Sequence, residues 1–476
     1  MEALSISLGV SSALTAMSNQ SGNIQQSSGL TRAIANFFHF DALGTDLPTE
    51  VLAGVTTFVT MAYILIVNPA ILSEAVFLEG SGDLFGELVM ATGISAAIAT
   101  LIMGLYAKLP FALAPGMGIN AFFAFTVVLG MGVDWRVALA AVLIEGIIFI
   151  ILTLTNVRNK IVAAIPDAVK HATTAGIGLF IAYIALKSAG IIAPSEATFT
   201  TLGDLRSAPA AMTLLGLGIT AFLFSRRVAG ALLWGIIGTA FLAWVFGVAP
   251  WPEGVVALPA APTHLFGQAF TGLGELFQLN LLEVISIVFV FLFVDLFDTI
   301  GTLTGLGAKA GYIDGEGKFP GVEKAFMADA VGTTAGSILG TSTVTTYIES
   351  ASGISEGGRS GFTAVIAAVL FLLSILFIPL FAGIPAFATA PALIMVGVLM
   401  MSGARLIDWE DPAAAIAAFL TIIMMPLAYS IAEGLAMGLI AYPVVKAFQG
   451  KARETTIGMW VLAAIFILRY IFVAGG

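Results

Sequence analysis

The stretch LPFALAPGMGIN (residues 109–120) lies in an apolar segment, but its two prolines and two glycines prevent a continuous helix. A helix can begin only near its end, at about Asn120. In the second half of the chain, STVTTYIES (residues 342–350) is rich in β-branched residues, which favour an extended strand, and a helix is expected to start at about Glu349. Both stretches predict a short strand followed by half of a helix, with Asn120 and Glu349 at equivalent helix starts.

The composition places the chain in a membrane. Of its 476 residues, 59% are hydrophobic and 10% are charged, and the mean hydropathy is +1.03. A soluble chain of this length covers its surface with charge and does not need so much apolar area. Irregular backbone at bilayer depth is tolerated only where it is buried in protein or lines a cavity. We therefore expect an all-α polytopic protein of a cell membrane with a polar site inside it.

Residue counts exclude several classes of site. The chain has no cysteine, so disulfides and thiolate metal sites are excluded. Its histidines, His39, His171 and His264, fall at segment ends or in loops, so we predict neither a metal site nor a histidine proton relay within the membrane. The net charge of −10 argues against nucleic acid as a partner.

Hydrophobic windows predict fourteen membrane spans. The predicted spans are 51–70, 88–107, 112–131, 136–155, 170–190, 211–225, 229–247, 283–306, 325–340, 342–355, 360–380, 383–403, 413–429 and 431–448. A further apolar helix over 457–473 either lies along the interface or crosses as an extra span. Residues 1–40, rich in Ser, Gln and Asn, are predicted to be a mobile tail.

The distribution of basic residues tests this number of spans. With the N-terminus in the cytoplasm, fifteen of the 19 Lys and Arg residues fall on the cytoplasmic side. Only Arg136, Lys187 and Arg206 fall on the outer side, and Arg469 lies in the extra apolar helix. One wrong span would scramble this asymmetry, so the positive-inside rule supports fourteen spans and a cytoplasmic N-terminus.

The chain also contains an internal repeat. At a constant offset of 203 residues, Pro209 matches Pro412 and Gly235 matches Gly438, with further matches between them. Seven predicted spans separate the paired elements, and because seven is odd the two halves are inverted. Inverted repeats with discontinuous helices are typical of secondary transporters, which bind their substrate at mid-membrane.

Acidic residues mark the expected site. The apolar segment ISIVFVFLFVDLFDTIGTLTGL (residues 285–306) carries Asp295 and Asp298, three residues apart and therefore on one helix face. A carboxylate at bilayer depth is costly unless it faces a cavity or a partner, so both residues are candidates for function. Glu349, in the second strand-like break, is the third acid that could face the same site.

The same residues raise two other classes of protein, an enzyme and an anion exchanger. Asp295 and Asp298 superficially suggest metal–diphosphate chemistry in an intramembrane prenyltransferase. That enzyme needs a second acidic cluster and basic residues for the diphosphate, and no Lys or Arg falls in the spans that bear the acids. An anion exchanger on the same fold is disfavoured because three buried acids repel an anion and no cation is expected nearby. We therefore expect a transporter and not an enzyme.

Four motifs are similar to those of AzgA-type purine permeases, the azaguanine-permease branch of the nucleobase transporters. The motifs are GVTTFVTMAYILIVNP (54–69), APGMGINAFF (114–123), FVDLFDTIGT (293–302) and GTSTVTTYIESASG (340–353). The resemblance runs from about residue 38 to the C-terminus. It implies import of adenine, guanine or hypoxanthine by proton symport, with the proton as coupling ion and no other cofactor. A uracil or xanthine permease, or an anion transporter on the same fold, remains the alternative.

The resemblance also implies an architecture. Its fourteen spans form two inverted seven-span repeats, with strand-like breaks in the third and tenth spans. A core domain that binds the substrate (51–155 and 283–380) moves in an elevator-like way against a gate domain (165–250 and 383–450). Members of the family often form dimers through the gate domain, so a homodimer is one expected assembly.

The same resemblance implies roles for individual polar residues. Asp298 takes the base-binding place of the eighth span, and Asp295 sits one turn earlier. Glu349 matches the acid of the tenth span and Asn120 the polar residue of the third span. Uracil permeases have a histidine where this chain has Thr302, which leaves the carboxylates to carry the proton. We expect Asp295 or Asp298 to carry it, with Glu349 also near the proton path and Asp298 in contact with the base.

Further residues are expected at or near the site. The backbone at Ile119 and Ile348, at the two strand-to-helix breaks, is expected to offer hydrogen-bonding groups to the base. Thr60 and Tyr63 line the site from the first span or serve helix packing. Glu145, in the fourth span, is either a structural ion-pair partner or a residue of the proton path.

Overall fold

The computed structural model describes residues 29–155, 165–259, 261–313 and 319–472, and these residues are mostly helical. The elements of the first half are α1 (Gly29–Phe37), α2 (Phe40–Leu43), α3 (Leu47–Met61), α4 (Ile64–Leu72), α5 (Phe85–Ile102), β1 (Leu113–Pro115), α6 (Met117–Ala121), α7 (Trp135–Thr155), α8 (Asp167–Ser188), β2 (Ile192–Ser195), β3 (Phe199–Leu202), α9 (Ala208–Ser225) and α10 (Ala231–Val245). Two π-helical segments, Met103–Ala107 and Phe122–Val128, continue α5 and α6.

The second half again has one short strand between helices, without a counterpart of the β2–β3 hairpin. Its elements are α11 (Gln268–Leu276), α12 (Leu281–Ala310), α13 (Val322–Leu339), β4 (Val344–Thr346), α14 (Ser350–Ser355), α15 (Gly361–Ser374), α16 (Ile378–Ala382), α17 (Ala390–Met400), α18 (Pro412–Leu427), α19 (Ile431–Phe448) and α20 (Ile457–Phe472). Short 3-10 turns extend α15, α17 and α19. Each of the fourteen predicted spans coincides with a helix or with a strand and the helix that follows it.

Within the described residues, eight helices are long and apolar enough to cross a membrane. They are Leu47–Leu72, Phe85–Ala107, Trp135–Thr155, Asp167–Ser188, Ala208–Ser225, Gly361–Ala382, Ala386–Leu406 and Ile431–Phe448. Four shorter apolar helices accompany them: Met117–Val128, Ala231–Val245, Pro412–Leu427 and Ile457–Ile471. This set of helices makes the chain a multi-pass membrane protein.

The two predicted breaks are confirmed, and their buried strands pair with each other. β1 pairs antiparallel with β4, with Leu113 opposite Thr346 and Pro115 opposite Val344. Each strand leads directly into a short helix, α6 after β1 and α14 after β4. The strand pair satisfies the backbone groups that the broken helices leave free. It also brings both helix starts to one place, as the internal repeat requires.

A buried carboxylate connects α3 to the segment that follows the second break. Glu50, in the first turn of α3, is fully buried and accepts hydrogen bonds from the hydroxyls of Ser360 (2.7 Å) and Thr363 (2.6 Å). It also accepts from the backbone N–H groups of Arg359 (2.9 Å) and Ser360 (3.1 Å). These residues form the start of α15, whose free N–H groups attract a negative charge. The contact therefore fixes the loop that follows α14.

Three features differ from the sequence predictions. The predicted mobile tail, residues 1–40, is too long. Residues from Gly29 onward form α1 and α2, and Ala35, Phe38 and Phe40 pack against Phe362. Residues 1–28 lie outside the described part. The hairpin β2–β3 and the helix α11 were not predicted, because short amphipathic or strand-like segments in loops give no hydropathy signal of their own.

The last helix runs antiparallel to α19. Arg469, near the end of α20, pairs with Glu433 in the first turn of α19 at 2.7 Å, and Tyr470 donates to the same carboxylate. At the other end, Lys446 of α19 lies 3.5 Å from Glu454, just before α20. α20 therefore follows α19 along its length, which favours the crossing over the interfacial alternative.

Candidate substrate site

A cavity of about 660 Å³ lies between the broken helices and α8 and α17. Its walls come from the start of α6, the middle of α12, the β4–α14 break, α8 and the end of α17 with the 3-10 turn after it. The polar groups of the wall are those of Tyr63, Asp167, Lys170, His171, Thr173, Thr174, Asp298, Thr302, Thr304, Thr345, Thr346, Tyr347, Glu349 and Ser402.

Two of the three predicted acids face this cavity. Asp298 and Glu349 both line it and both are partly exposed to it. Thr345 of β4 donates a hydrogen bond to Asp298 Oδ2 at 3.3 Å, and Tyr63 donates to Glu349 Oε1 at 2.8 Å. Each hydroxyl holds one oxygen of its carboxylate, so the remaining lone pairs can accept N–H donors from a bound molecule.

The backbone of the two breaks forms part of the wall. Ile119 and Ile348 line the cavity, and 51% of Ile348 is exposed. At Gly118 an added Cβ atom would lie 2.5 Å from Ile177 Cγ2 of α8, and at Gly116 it would lie 2.7 Å from Thr345 Cγ2. Glycine is therefore required where α6 starts, because the backbone approaches both α8 and β4.

Three predicted residues do not line the cavity. Asn120 is fully buried, accepts a hydrogen bond from Ser342, and its Nδ2 has no partner among the described residues. Thr60 donates to backbone oxygens of its own helix, Thr57 O at 2.8 Å among them. Asp295 is fully buried. These side chains support the site from behind the wall.

Sequence reasoning missed one acid of the site. Asp329 of α13 is fully buried and accepts hydrogen bonds from Thr299 (2.9 Å) and Thr346 (3.2 Å). Thr299 also lies 2.9 Å from Thr345, which binds Asp298. Hydroxyl groups thus link the cavity acid to a second, buried acid. Asp329 lies in a predicted span, so the rule that selected Asp295 would have selected it too.

The expectation that no cation lies near the acids is wrong. Lys170 and His171 of α8 line the opposite wall of the same cavity. The Lys170 ammonium lies 2.9 Å from Asp167 and 5.6 Å from the centre of the Phe297 ring of α12. Lys170 is the first residue of the predicted span 170–190 and one of the basic residues predicted on the cytoplasmic side. Lys170 is thus in an ion pair with Asp167, whose side chain is largely exposed.

Glu145 of α7 is the last acid near the site. It is fully buried, and Thr343 donates to its Oε2 at 3.3 Å. Its carboxyl group faces that of Asp295. The interpretation of Glu145 as a structural ion-pair partner is wrong, because the charged groups next to it in the described chain are acids.

Two half-helices that meet at a cavity inside a bundle of apolar helices are typical of secondary transporters. The model of the permease family that takes its name from xanthine and uracil permeases matches residues 48–437. The chain belongs to this permease family.

Two relatives are similar over almost the whole chain. The guanine/hypoxanthine permease PbuG of Bacillus subtilis is 44% identical, over 92% of this chain and 99% of that protein. The adenine permease AdeP of Escherichia coli is 41% identical, over 90% of this chain and 94% of that protein. These names confirm a permease and not an enzyme.

Solved structures with this fold are more distant in sequence. The transmembrane domain of the cyanobacterial bicarbonate transporter BicA superposes with a TM-score of 0.59 at 16% identity, over 82% of this chain and 97% of that domain. At this identity the likeness shows the fold alone. The predicted fold class is confirmed.

Proposed function

We propose that the protein imports the purine bases adenine, guanine or hypoxanthine together with protons. The observation that carries the proposal is the pair Asp298 and Glu349, which face one cavity from the middle of α12 and from the β4–α14 break. Relatives named for guanine/hypoxanthine and for adenine transport support the choice of purines.

The chemistry of the cavity suits a purine. A purine presents ring N–H and exocyclic N–H groups along one edge, and a carboxylate can accept two such bonds. Asp298 and Glu349 each keep acceptor capacity beyond the hydroxyl that holds them. Val294, Phe297 and Ile348 supply the apolar part of the wall, against which a flat ring can pack.

The acids also supply a place for a proton. Asp298, Glu349 and the buried Asp295, Asp329 and Glu145 lie close together, and Lys170 on the opposite wall is already paired with Asp167. So many carboxylates in a nearly dry interior cannot all be ionised. Some of them hold protons, and transfer of one proton per cycle would couple base uptake to the proton gradient.

Movement of a core against a gate would alternate access to the cavity. The acids and both breaks belong to the proposed core (51–155 and 283–380), and Lys170 belongs to the proposed gate (165–250 and 383–450). The cavity lies between them, so sliding of one part along the other would carry the bound base across the membrane. The N-terminus would lie in the cytoplasm, because most Lys and Arg residues then fall on the cytoplasmic side.

Two alternatives on this fold are weaker. A uracil or xanthine permease would use the same two carboxylates, and only the base it prefers would differ. An anion transporter is disfavoured because the cavity presents two acids from the core, whereas its lysine is paired with Asp167.

The experiment that tests the proposal is uptake of labelled adenine, guanine, hypoxanthine, uracil and sulfate by cells that lack their own permeases. We expect accumulation of at least one purine, and its loss when the proton gradient is dissipated. Accumulation of uracil or sulfate without any purine would contradict the proposal, and purine accumulation that survives dissipation would contradict the proton coupling.

A further inference from the structure

The strongest unexplained feature is a pair of buried carboxyl groups behind the cavity. Asp295 of α12 and Glu145 of α7 are both fully buried, and their carboxyl groups face each other at hydrogen-bonding range. No donor among the described residues reaches either oxygen of Asp295 or Oε1 of Glu145. Neither residue lines the cavity.

The surroundings give this pair only acids and hydroxyls. Asp298 of the same helix and Asp329 of α13 are the charged groups that act on Asp295 besides Glu145. Thr343, just before β4, donates to Glu145 Oε2 at 3.3 Å. Two buried carboxylates in contact, to which Thr343 is the one side-chain donor among the described residues, cannot both be ionised. One proton shared between them gives Oε1 of Glu145 and one oxygen of Asp295 a partner.

Because it rests on the proposed function, this inference concerns how proton and base are coupled. We propose that Glu145 and Asp295 together hold the coupling proton, and that this proton controls whether Asp298 is ionised for the base. Glu145 acts through Asp295 and does not touch the substrate, so it is a positioning residue of the proton site.

The coupling follows from charge alone. When the pair holds its proton it carries one negative charge, and Asp298 one turn away can ionise and accept N–H bonds from the base. When the pair loses the proton it carries two negative charges, and Asp298 retains a proton instead. The base then loses an acceptor. Proton and base therefore favour each other's binding, which is the condition for symport, and such couplings amount to roughly 5- to 150-fold in affinity.

The substitution Glu145→Gln separates this role from a structural one. The glutamine keeps the shape, and its NH2 group donates to Asp295 in place of the shared proton. A lone ionised Asp295 carries the same charge as the protonated pair. The variant is therefore fixed in the state that binds the base. We expect purine affinity at neutral pH to equal that of the wild type, and its fall at higher pH to disappear.

Purified wild type, Glu145→Gln and the control Glu87→Gln are compared for purine affinity across pH and, in liposomes, for purine exchange and for accumulation driven by an imposed pH gradient. Glu87, in the first turn of α5, accepts hydrogen bonds from His264 of the loop before α11, and neither residue lines the cavity. We expect Glu145→Gln to exchange purine but not to accumulate it, while Glu87→Gln does both. Asp295→Asn gives the same readout if Glu145→Gln does not reach the membrane.

The outcomes separate the two proposals. If wild type and Glu145→Gln lose affinity alike as the pH rises and accumulate purine alike, the pair does not hold the coupling proton, and the proposed function stands. If the wild type binds purine but a pH gradient does not drive its accumulation, proton coupling itself is wrong and the inference falls with it.

Discussion

The carboxylate of Glu349 offers the sharpest test of the base site. Glu349→Gln keeps the size of the side chain and leaves Oε1 as an acceptor for the Tyr63 hydroxyl. In the wild type this hydroxyl lies 2.8 Å from Glu349 Oε1. The substitution removes the negative charge and one acceptor, because an NH2 donor replaces the second oxygen. A purine N–H that faced the carboxylate would then meet another donor.

The size of the effect follows from the type of bond. A hydrogen bond to a charged group contributes about 1.5–3 kcal/mol. Loss of one such bond to the base corresponds to an increase in Kd of about 10- to 150-fold. Membrane insertion should be unchanged, because Glu349 is partly exposed to the cavity and no ion pair of the described residues depends on it.

The assay is equilibrium binding of a labelled purine to purified protein. Glu356→Gln is a matched control, since Glu356 stands at the other end of the same half-helix α14 and is exposed. We expect the control to bind as the wild type does. A Kd within about twofold of the wild type in Glu349→Gln would place the base elsewhere in the cavity and refute the reasoning.

Three further predictions follow. Asp298→Asn should weaken purine binding by about 10-fold or more, measured by the same binding assay, whereas a change of Kd below twofold would remove Asp298 from the site. Gly118→Ala should slow transport more than it weakens binding, since its Cβ would meet Ile177 Cγ2 at 2.5 Å; adding Ile177→Ala should restore the rate, and no rescue would contradict this contact. A reporter protein fused after α20 should lie on the opposite side of the membrane from one fused before α1, because α20 follows α19 antiparallel; a reporter found on the same side would contradict the crossing.

Local chemistry made much of the fold predictable. Prolines and glycines in residues 109–118 and threonines in residues 343–346 predicted both breaks, because their backbone preferences forbid or disfavour a helix. Hydrophobic windows located the helices to within a few residues. The pairing of β1 with β4 could not be predicted from either segment, since the register depends on residues that lie far apart in the chain.

The sequence predicts acids of the site but not where their side chains point. Asp295 and Asp298 lie three residues apart and share a helix face, yet only Asp298 reaches the cavity. The two side chains point about 60° apart around the helix, which is enough to place one of them behind the wall. The position of Lys170 in the cavity wall could not be predicted. A residue at the margin of a hydrophobic window can lie in a loop or in a cavity wall, and only packing decides between them.

The central claim is that a purine binds between the carboxylates of Asp298 and Glu349. An experimental structure of the protein with bound guanine, hypoxanthine or adenine tests it most directly. The account predicts a base in the cavity whose N–H edge lies within hydrogen-bond distance of both carboxylates, with Glu145 and Asp295 still in contact behind it. A base that contacts the wall at Lys170 and His171 and neither carboxylate would contradict the account.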